Sequence, residues 1–433
     1  EKVPRRLVYV VNRRTVVDQT TTEAQKLIAA LAKPELADLY RRLIDLCALP
    51  CESPLAISTL RGQFADNGEW RRDPARPAVI IGTVDMIGSG LLFSRYTAGF
   101  KTRPLHAGFL GQDTLLVHDE AHLEPAFQTL IEEINAEQNG LGGQMNAPRD
   151  LKPIHIMALT ATARSATVPF SLTDGDRANQ TVRKRFEAVK RLSLVAVGEG
   201  EELKDRIPEK ARMLKGTVLV FVRSVENALK IATALDKGEC KGQVIALTGT
   251  MRGKERDDLV NDTRFGRFLV SDGSPDDSPV FLVCTSAGEV GVNLSADHCV
   301  CDLSTYESMA QRFGRVNRFG KRDDSTITVF HEKNFDTTNN KTGALESARE
   351  ATLALLRQLP RATALDDVYE ASPAALDTLP AADRAAAFSP PPAIRVATHI
   401  QFDAWALTSI REPIAARPPI APYLHGEADW QPP

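Results

Sequence analysis

Short apolar runs, each followed by a stretch long enough for a helix, recur along this chain of 433 residues. They include 5–11 (RRLVYVV), 78–86 (AVIIGTVDM), 154–159 (IHIMAL), 217–222 (TVLVFV), 280–284 (VFLVC) and 326–330 (TITVF). Continuous apolar runs without polar alternation are the pattern of strands buried on both faces. Strands alternating with helices predict a mostly parallel sheet, whose sites lie at the carboxyl ends of the strands. The residues just past each run are therefore the informative ones. One run, Leu115-Leu116-Val117, leads into His118-Asp119-Glu120-Ala121-His122. Two adjacent carboxylates at a strand end suit nucleotide hydrolysis: the first can hold Mg²⁺ and the second can take a proton from water. A strand ending in a solvated acidic turn would read the same way, so the rest of the chain must decide.

Length suggests about three domains of ordinary size. With 43% hydrophobic and 25% charged residues, a sizeable core is available. No apolar run approaches the roughly 20 residues of a membrane helix, and no signal peptide opens the chain. The sequence starts at Glu1 and reaches a strand almost at once, so a fragment is expected. A net charge of −3 argues against a generally basic nucleic-acid coat but allows a local basic groove. The six cysteines, Cys47, Cys51, Cys240, Cys284, Cys299 and Cys301, form no paired CxxC set. They read as reduced thiols of a cytoplasmic protein rather than zinc ligands.

In chain order, the first run feeds Asn12-Arg13-Arg14-Thr15 and a helix over 16–32. Guanidinium, hydroxyl and helix N-terminal amides there suit a phosphate backbone, although an ordinary turn with solvated arginines also fits. A short strand is expected at 57–60, and 62–77 is turn-rich. Gly88-Ser89-Gly90 lacks the Lys-Ser/Thr of a phosphate loop and is rejected as one. Residues 91–112 carry no clear pattern. A helix is expected over 125–135 and a loop over 140–153. The 154–159 strand ends in Thr160-Ala161-Thr162. Residues 171–213 are charged and turn-rich with one strand near 192–197, which places a domain boundary near 200–213. The second half repeats the pattern. Its strands open into Arg223-Ser224, into Thr248-Gly249-Thr250, and into Thr285-Ser286-Ala287-Gly288-Glu289-Val290-Gly291-Val292-Asn293. The polar stretch 261–279 reads as a loop insertion. Gln311-Arg312-Phe313-Gly314-Arg315-Val316-Asn317-Arg318 comes next, with Arg315 and Arg318 spaced to share a helical face and clamp a phosphoryl group. Beyond 336 the chain is rich in Ala and Pro, with a helix over 343–358 and a Pro-rich linker at 389–392.

Taken in this order, the segments resemble a superfamily 2 helicase of the Asp-Glu-Ala-His type with two tandem RecA-like lobes. The wording of 7–20 (LVYVVNRRTVVDQT), 80–96 (IIGTVDMIGSGLLFSRY) and 285–294 (TSAGEVGVNL) is similar to the helicase part of the CRISPR-associated type I helicase–nuclease family, in the variant called subtype U or G. The resemblance covers roughly 5–330. It implies an α/β fold with a first lobe at 1–200, a second at 213–335, and an incomplete, partly helical accessory segment at 336–433. It also implies roles. Asp119 would hold Mg²⁺ through water, Glu120 would polarise the attacking water, and His122 would link the ATP site to the other lobe. Thr160 and Thr162 would couple hydrolysis to movement. Arg315 and Arg318, with Gln311 beside them, would be arginine fingers. Thr285, Gly291 and Asn293 would lie between nucleotide and DNA. Arg14, Thr15, Thr83, Arg223 and Ser224 would track the backbone of single-stranded DNA, making binding sequence-tolerant and salt-sensitive. ATP and Mg²⁺ are the implied cofactors, and an RNA-guided surveillance complex used in antiviral defence is the implied partner.

Two departures qualify this. Asn293 stands where the family often has Asp, and can still bond a ribose hydroxyl. More severe, no G-x-x-x-x-G-K-[ST] loop occurs in the sequence. It is expected about 15–30 residues upstream of Glu1, one helix before the first strand, so the isolated chain is expected to turn over little ATP. The dipeptide His118-Asp119 belongs to the ATPase motif, and no metal nuclease is expected here. Two other readings remain: a different superfamily 2 motor, such as an RNA helicase or restriction-type translocase, or a non-catalytic nucleic-acid-binding module.

Overall fold

The computed structural model describes residues 3–12, 14–60, 67–95, 98–141, 152–160, 172–198, 200–249, 259, 262–269, 277–289, 293–339, 341–362, 367–409 and 417–427. For Arg14, Thr15, Leu141 and Ala287 only the backbone is described. The chain divides into two units, one of residues 1–160 with 391–433 and one of 161–390.

The first unit is built on β1 (Arg6–Val11), β2 (Ala56–Leu60), β3 (Ala78–Thr83), β4 (Thr114–Asp119) and β5 (His155–Leu159), in the order β2-β3-β1-β4-β5. Every pairing is parallel. Residues of β3 are buried throughout, as an apolar run with helices on both faces requires. The register brings the strand ends together: Val11 stands beside Thr83, Val10 beside His118, and Asp119 beside Leu159. Two apolar layers cover the sheet. One contains Val8, Ile80, Leu116 and Phe127, the other Val11, Val17, Val79 and Ile81. Outermost β5 is different, with Met157 and Leu159 exposed.

The second unit holds β6 (Arg191–Ala196), β7 (Thr217–Phe221), β8 (Val244–Leu247), β9 (Val280–Cys284), β10 (His298–Asp302), β11 (Thr326–His331) and β12 (Val368–Glu370). Their order is β12-β6-β11-β10-β7-β9-β8, parallel except for β12 against β6. The expected α/β architecture with mostly parallel sheets is therefore present, and both sheets resemble RecA-like lobes.

The units divide the chain at other points than the sequence suggested. Strand β6, placed in the first half by its position, pairs along its whole length with β11, from Arg191 beside Thr326 to Ala196 beside His331. The segment beyond 336 is not one appendage. Helix Gly343–Leu356 buries Leu353, Leu355 and Leu356 in the second core. Trp405, Tyr423 and Leu424 join the first core. The supposed loop insertion contains helix Thr263–Leu269, which buries Phe265 and Phe268, three residues apart on one face. The unassigned 91–112 contains helix Arg103–Gly111. Turn-rich 62–77 contains helix Glu69–Arg72 around the buried Trp70.

Candidate nucleotide site and nucleic-acid interface

In the first unit Asp119 is the last residue of β4, and the chain turns sharply after it. Glu120 has φ 51° and ψ 46°, a left-handed conformation uncommon for a residue with a side chain. Its amide donates to Asp119 Oδ1 at 3.1 Å, closing the turn on the neighbouring carboxylate. A 3₁₀ turn, Ala121–Leu123, comes next, and helix Pro125–Leu141 starts on a proline, whose fixed φ suits the first helical position. The turn thus presents both carboxylates, half-buried, at the carboxyl edge of the sheet.

His122 ties this turn to the next strand. Its Nδ1 lies 3.6 Å from Glu120 Oε2 and 3.0 Å from Thr160 Oγ1, and its side chain is almost wholly buried. Thr160 directly follows β5, so the acidic turn and the end of this strand share one histidine. From β1, Tyr9 bonds Asp119. Burial, reinforced by the charge of Asp119, raises the phenol pKa, so Tyr9 remains a neutral donor. His118 occupies the opposite face of β4 by strand alternation. It is fully buried, with Nδ1 2.9 Å from Gln128 Oε1 and its ring edge-on to Phe127. Burial lowers its pKa and keeps it neutral.

Thr83 ends β3, and its hydroxyl accepts from the Met86 amide at 3.4 Å, capping helix Val84–Leu91. Gly88-Ser89-Gly90 lies inside that helix and is not a loop. Arg14 and Thr15 open helix Arg14–Leu31, but their side chains lie outside the described residues, as do Thr162 and Gly291.

In the second unit Ser224 caps helix Val225–Leu235 by accepting from the Asn227 amide at 3.4 Å. The Arg223 guanidinium is committed to three carboxylates: Glu332 at 3.1 Å, Asp302 at 3.3 Å and Glu346 at 3.9 Å. Thr285 is buried and starts the 3₁₀ turn Ser286–Gly288, while Asn293 is exposed. Gln311 is buried on helix Tyr306–Gly314.

Arg315 and Arg318 do not share a helical face. The helix ends at Gly314, Val316 bridges to Ala296, and Asn317 turns left-handed with φ 43°. Arg315 is buried, with Nε and Nη2 donating to the Glu289 carbonyl at 3.2 and 2.8 Å. Arg318 is exposed. Sequence spacing missed this because it assumed a helix continuing past Gly314.

It also missed the charges that hold the region together. Arg312 is buried over the Phe221 ring, with Nε 2.7 Å from Glu289 Oε1 and Nη1 3.1 Å from Asp302 Oδ1. Burial opposes its charge, but Glu289 and Asp302 more than offset this and keep it protonated. Ser308 also donates to Glu289 Oε1, at 2.7 Å. Arg312 lies three residues after the buried Met309, on the helix's inner face. A charge there must be paired, and that was the available signal. Lys190 is buried as well, donating to the Phe313 carbonyl at 2.8 Å. Burial, with the charge of Arg318 as a smaller cause, pulls its pKa down to about 7.

Residues 214–321, which carry Arg223, Glu289, Asp302 and Arg312 to Arg318, match the family described as CRISPR-associated nuclease/helicase Cas3, C-terminal. No curated protein sequence matches the chain. Among solved structures, the T. fusca Cas3–ATP chain is 15% identical with a TM-score of 0.54, over 84% of this chain and 45% of that one. The T. fusca Cas3–AMPPNP chain is also 15% identical, with a TM-score of 0.51 over 81% and 44%. A chain of the structure titled "CRISPR RNA-guided surveillance complex, pre-nicking" gives 15%, 0.50, 81% and 42%. This chain spans less than half the length of each, and at such identity the likeness is one of fold. The match over 214–321 agrees with the motifs of that stretch and with the fold of the second unit.

Proposed function

We propose that this chain is the motor part of an ATP-dependent helicase that moves on single-stranded DNA. An RNA-guided surveillance complex of a type I CRISPR system would recruit it, and it would unwind target DNA for degradation in antiviral defence. The observation that supports this best is the link Glu120–His122–Thr160 at the carboxyl edge of a parallel sheet. A carboxylate held in a left-handed turn and joined to the following strand end can sense the nucleotide and pass its state on.

Asp119 accepts from the Glu120 amide and from Tyr9 and stands half-buried at the sheet edge. Mg²⁺ commonly needs only one or two carboxylates besides water and substrate phosphates, so this donor fits it. When bound, the ion would neutralise charge on the transferred phosphate. Glu120 accepts the proton of the attacking water, and His122 orients Glu120. Gln311, Arg315, Arg318, Gly291 and Asn293 are the candidate nucleotide contacts of the second unit. Arg14, Thr15, Thr83, Arg223, Ser224 and Thr285 are the candidate backbone contacts. Thr83 and Ser224 stand at helix starts, whose positive ends favour phosphate.

The test is Glu120→Gln in the full-length protein. ATP turnover should fall by about 10²–10⁴-fold, the usual worth of a general base, while single-stranded DNA is still bound. Wild-type turnover by the variant would sink the assignment. Stimulation by single-stranded RNA but not DNA would overturn the DNA substrate.

A further inference from the structure

The Gly88-Ser89-Gly90 segment and the Pro-rich C-terminal segment meet in the first unit. Leu424, on the short helix Ala421–His425, is buried against Gly88. A Cβ at Gly88 would overlap the Leu424 Cδ2 methyl and come within 3.3 Å of the Phe127 ring. Gly88 is therefore a seat for Leu424, which explains a glycine in the middle of helix Val84–Leu91 despite its cost there. The next residue, His425, bonds two carboxylates at once. Nε2 lies 2.8 Å from Asp85 Oδ1 and Nδ1 lies 3.3 Å from Glu124 Oε2. Donating from both nitrogens requires the imidazolium, and the two carboxylates raise its pKa to about 10. Asp85 lies in the first turn of the helix capped by Thr83. Glu124 closes the turn that carries Asp119 and Glu120. The segment is anchored at its other end too. Arg417 donates to the Phe93 and Trp405 carbonyls at 3.0 and 2.8 Å, and Trp405 stacks edge-on against Tyr423.

We propose that residues 417–427 form a strap that positions the acidic turn: His425 holds Glu124 against Asp85, so that the Asp119-Glu120 turn and the Thr83 helix move as one body while the strap is docked. This rests on the proposed ATPase role of Glu120, and His425 acts as a positioning residue through Glu124. It gives the C-terminal segment a task that its sequence does not announce.

Two variants of the full-length protein test it. His425→Gln keeps the Leu424 seat and removes the cation. Gly88→Val removes the seat. Hydrogen exchange is followed at 119–124 and at 417–427, alongside ATP turnover and melting temperature. His425→Gln should speed exchange at 119–124 and lower kcat about tenfold, as expected for a small misplacement of a catalytic group. KM for ATP should be unchanged, the melting temperature should fall only slightly because the pair is half-exposed, and His425→Lys should restore much of the loss. Gly88→Val should release 417–427 and reproduce the same exchange at 119–124. If 119–124 exchanges as in wild type in His425→Gln, or when 417–427 is released, the strap does not position the turn. The exchange readout decides this even where wild type shows no turnover, an outcome that would instead overturn the ATPase reading.

Discussion

Glu289→Gln is the most revealing change to make in the second unit, because it removes one charge and little else. Wild-type Arg312 faces Glu289 at 2.7 Å and Asp302 at 3.1 Å, with its side chain almost wholly out of solvent. Asp302 remains after the change, and the glutamine oxygen can still accept from Arg312 and Ser308. The loss is the charge assistance of one buried bond, about 1.5–3 kcal/mol. Arg312→Met is worse, because it leaves two buried carboxylates short of a partner, at about 3–5 kcal/mol. In that background Glu289→Gln should be neutral or stabilising, since it now discharges a stranded anion. The cycle should give a coupling of about 1.5–3 kcal/mol between the two sites. Trp70 and Trp405 belong to the core of the first unit and not to the second. Hydrogen exchange over 298–314 is the appropriate readout, supported by calorimetry, where each kcal/mol moves the melting temperature by about 2–4 °C. An equal cost of Glu289→Gln with and without Arg312 would refute the reasoning.

The remaining predictions concern neighbouring cations. Lys190 has a pKa of about 7 against an ordinary 10.5. Between those values the unfolded chain binds more protons than the folded one, so this group makes stability rise with pH, by up to about 1.4 kcal/mol per unit. Lys190→Met should flatten the rise in melting temperature between pH 7 and 10, and unchanged slopes would dismiss the effect. Arg318→Ala should leave the melting temperature alone and lower ATP turnover by about 10³-fold or more, as for an arginine finger. Arg315→Ala should cost about 1–3 kcal/mol of stability, because it frees the Glu289 carbonyl inside the fold. If instead Arg315→Ala leaves stability intact, the contact holds nothing.

The strands were legible because burial on both faces leaves a simple trace: the runs at 78–83, 217–221 and 280–284 have no polar interruption. The acidic turn was legible for the opposite reason, since two carboxylates directly after such a run are conspicuous. Pairing was not legible. A strand carries the pattern of its burial but not the address of its partner, and β6 joins β11 across more than 120 residues of sequence. The same limit applies to charge. Arg312, Glu289, Asp302 and Lys190 are buried residues of the kind usually found solvated, and only their partners justify their position. Asn317 did offer a local sign, as Asn is one of the few residues at ease in a left-handed turn.

Much of the linkage between motifs within each unit therefore lies in residues that no motif contains. In the second unit, Glu289 takes Arg312 on its carboxylate and Arg315 on its carbonyl, and Asp302 takes Arg312 and Arg223. A displacement of 285–289 or of 311–315 must strain the buried Glu289–Arg312 pair before it can leave the other behind, and 223–224 is tied to them through the more exposed Arg223–Asp302 pair. Buried pairs lack the easy substitution by water that surface pairs enjoy, so 285–289 and 311–315 are held in one arrangement or released together. The proposed motor role would require such coupling between the candidate nucleotide contacts and backbone contacts, and the Glu289–Arg312 cycle measures its strength.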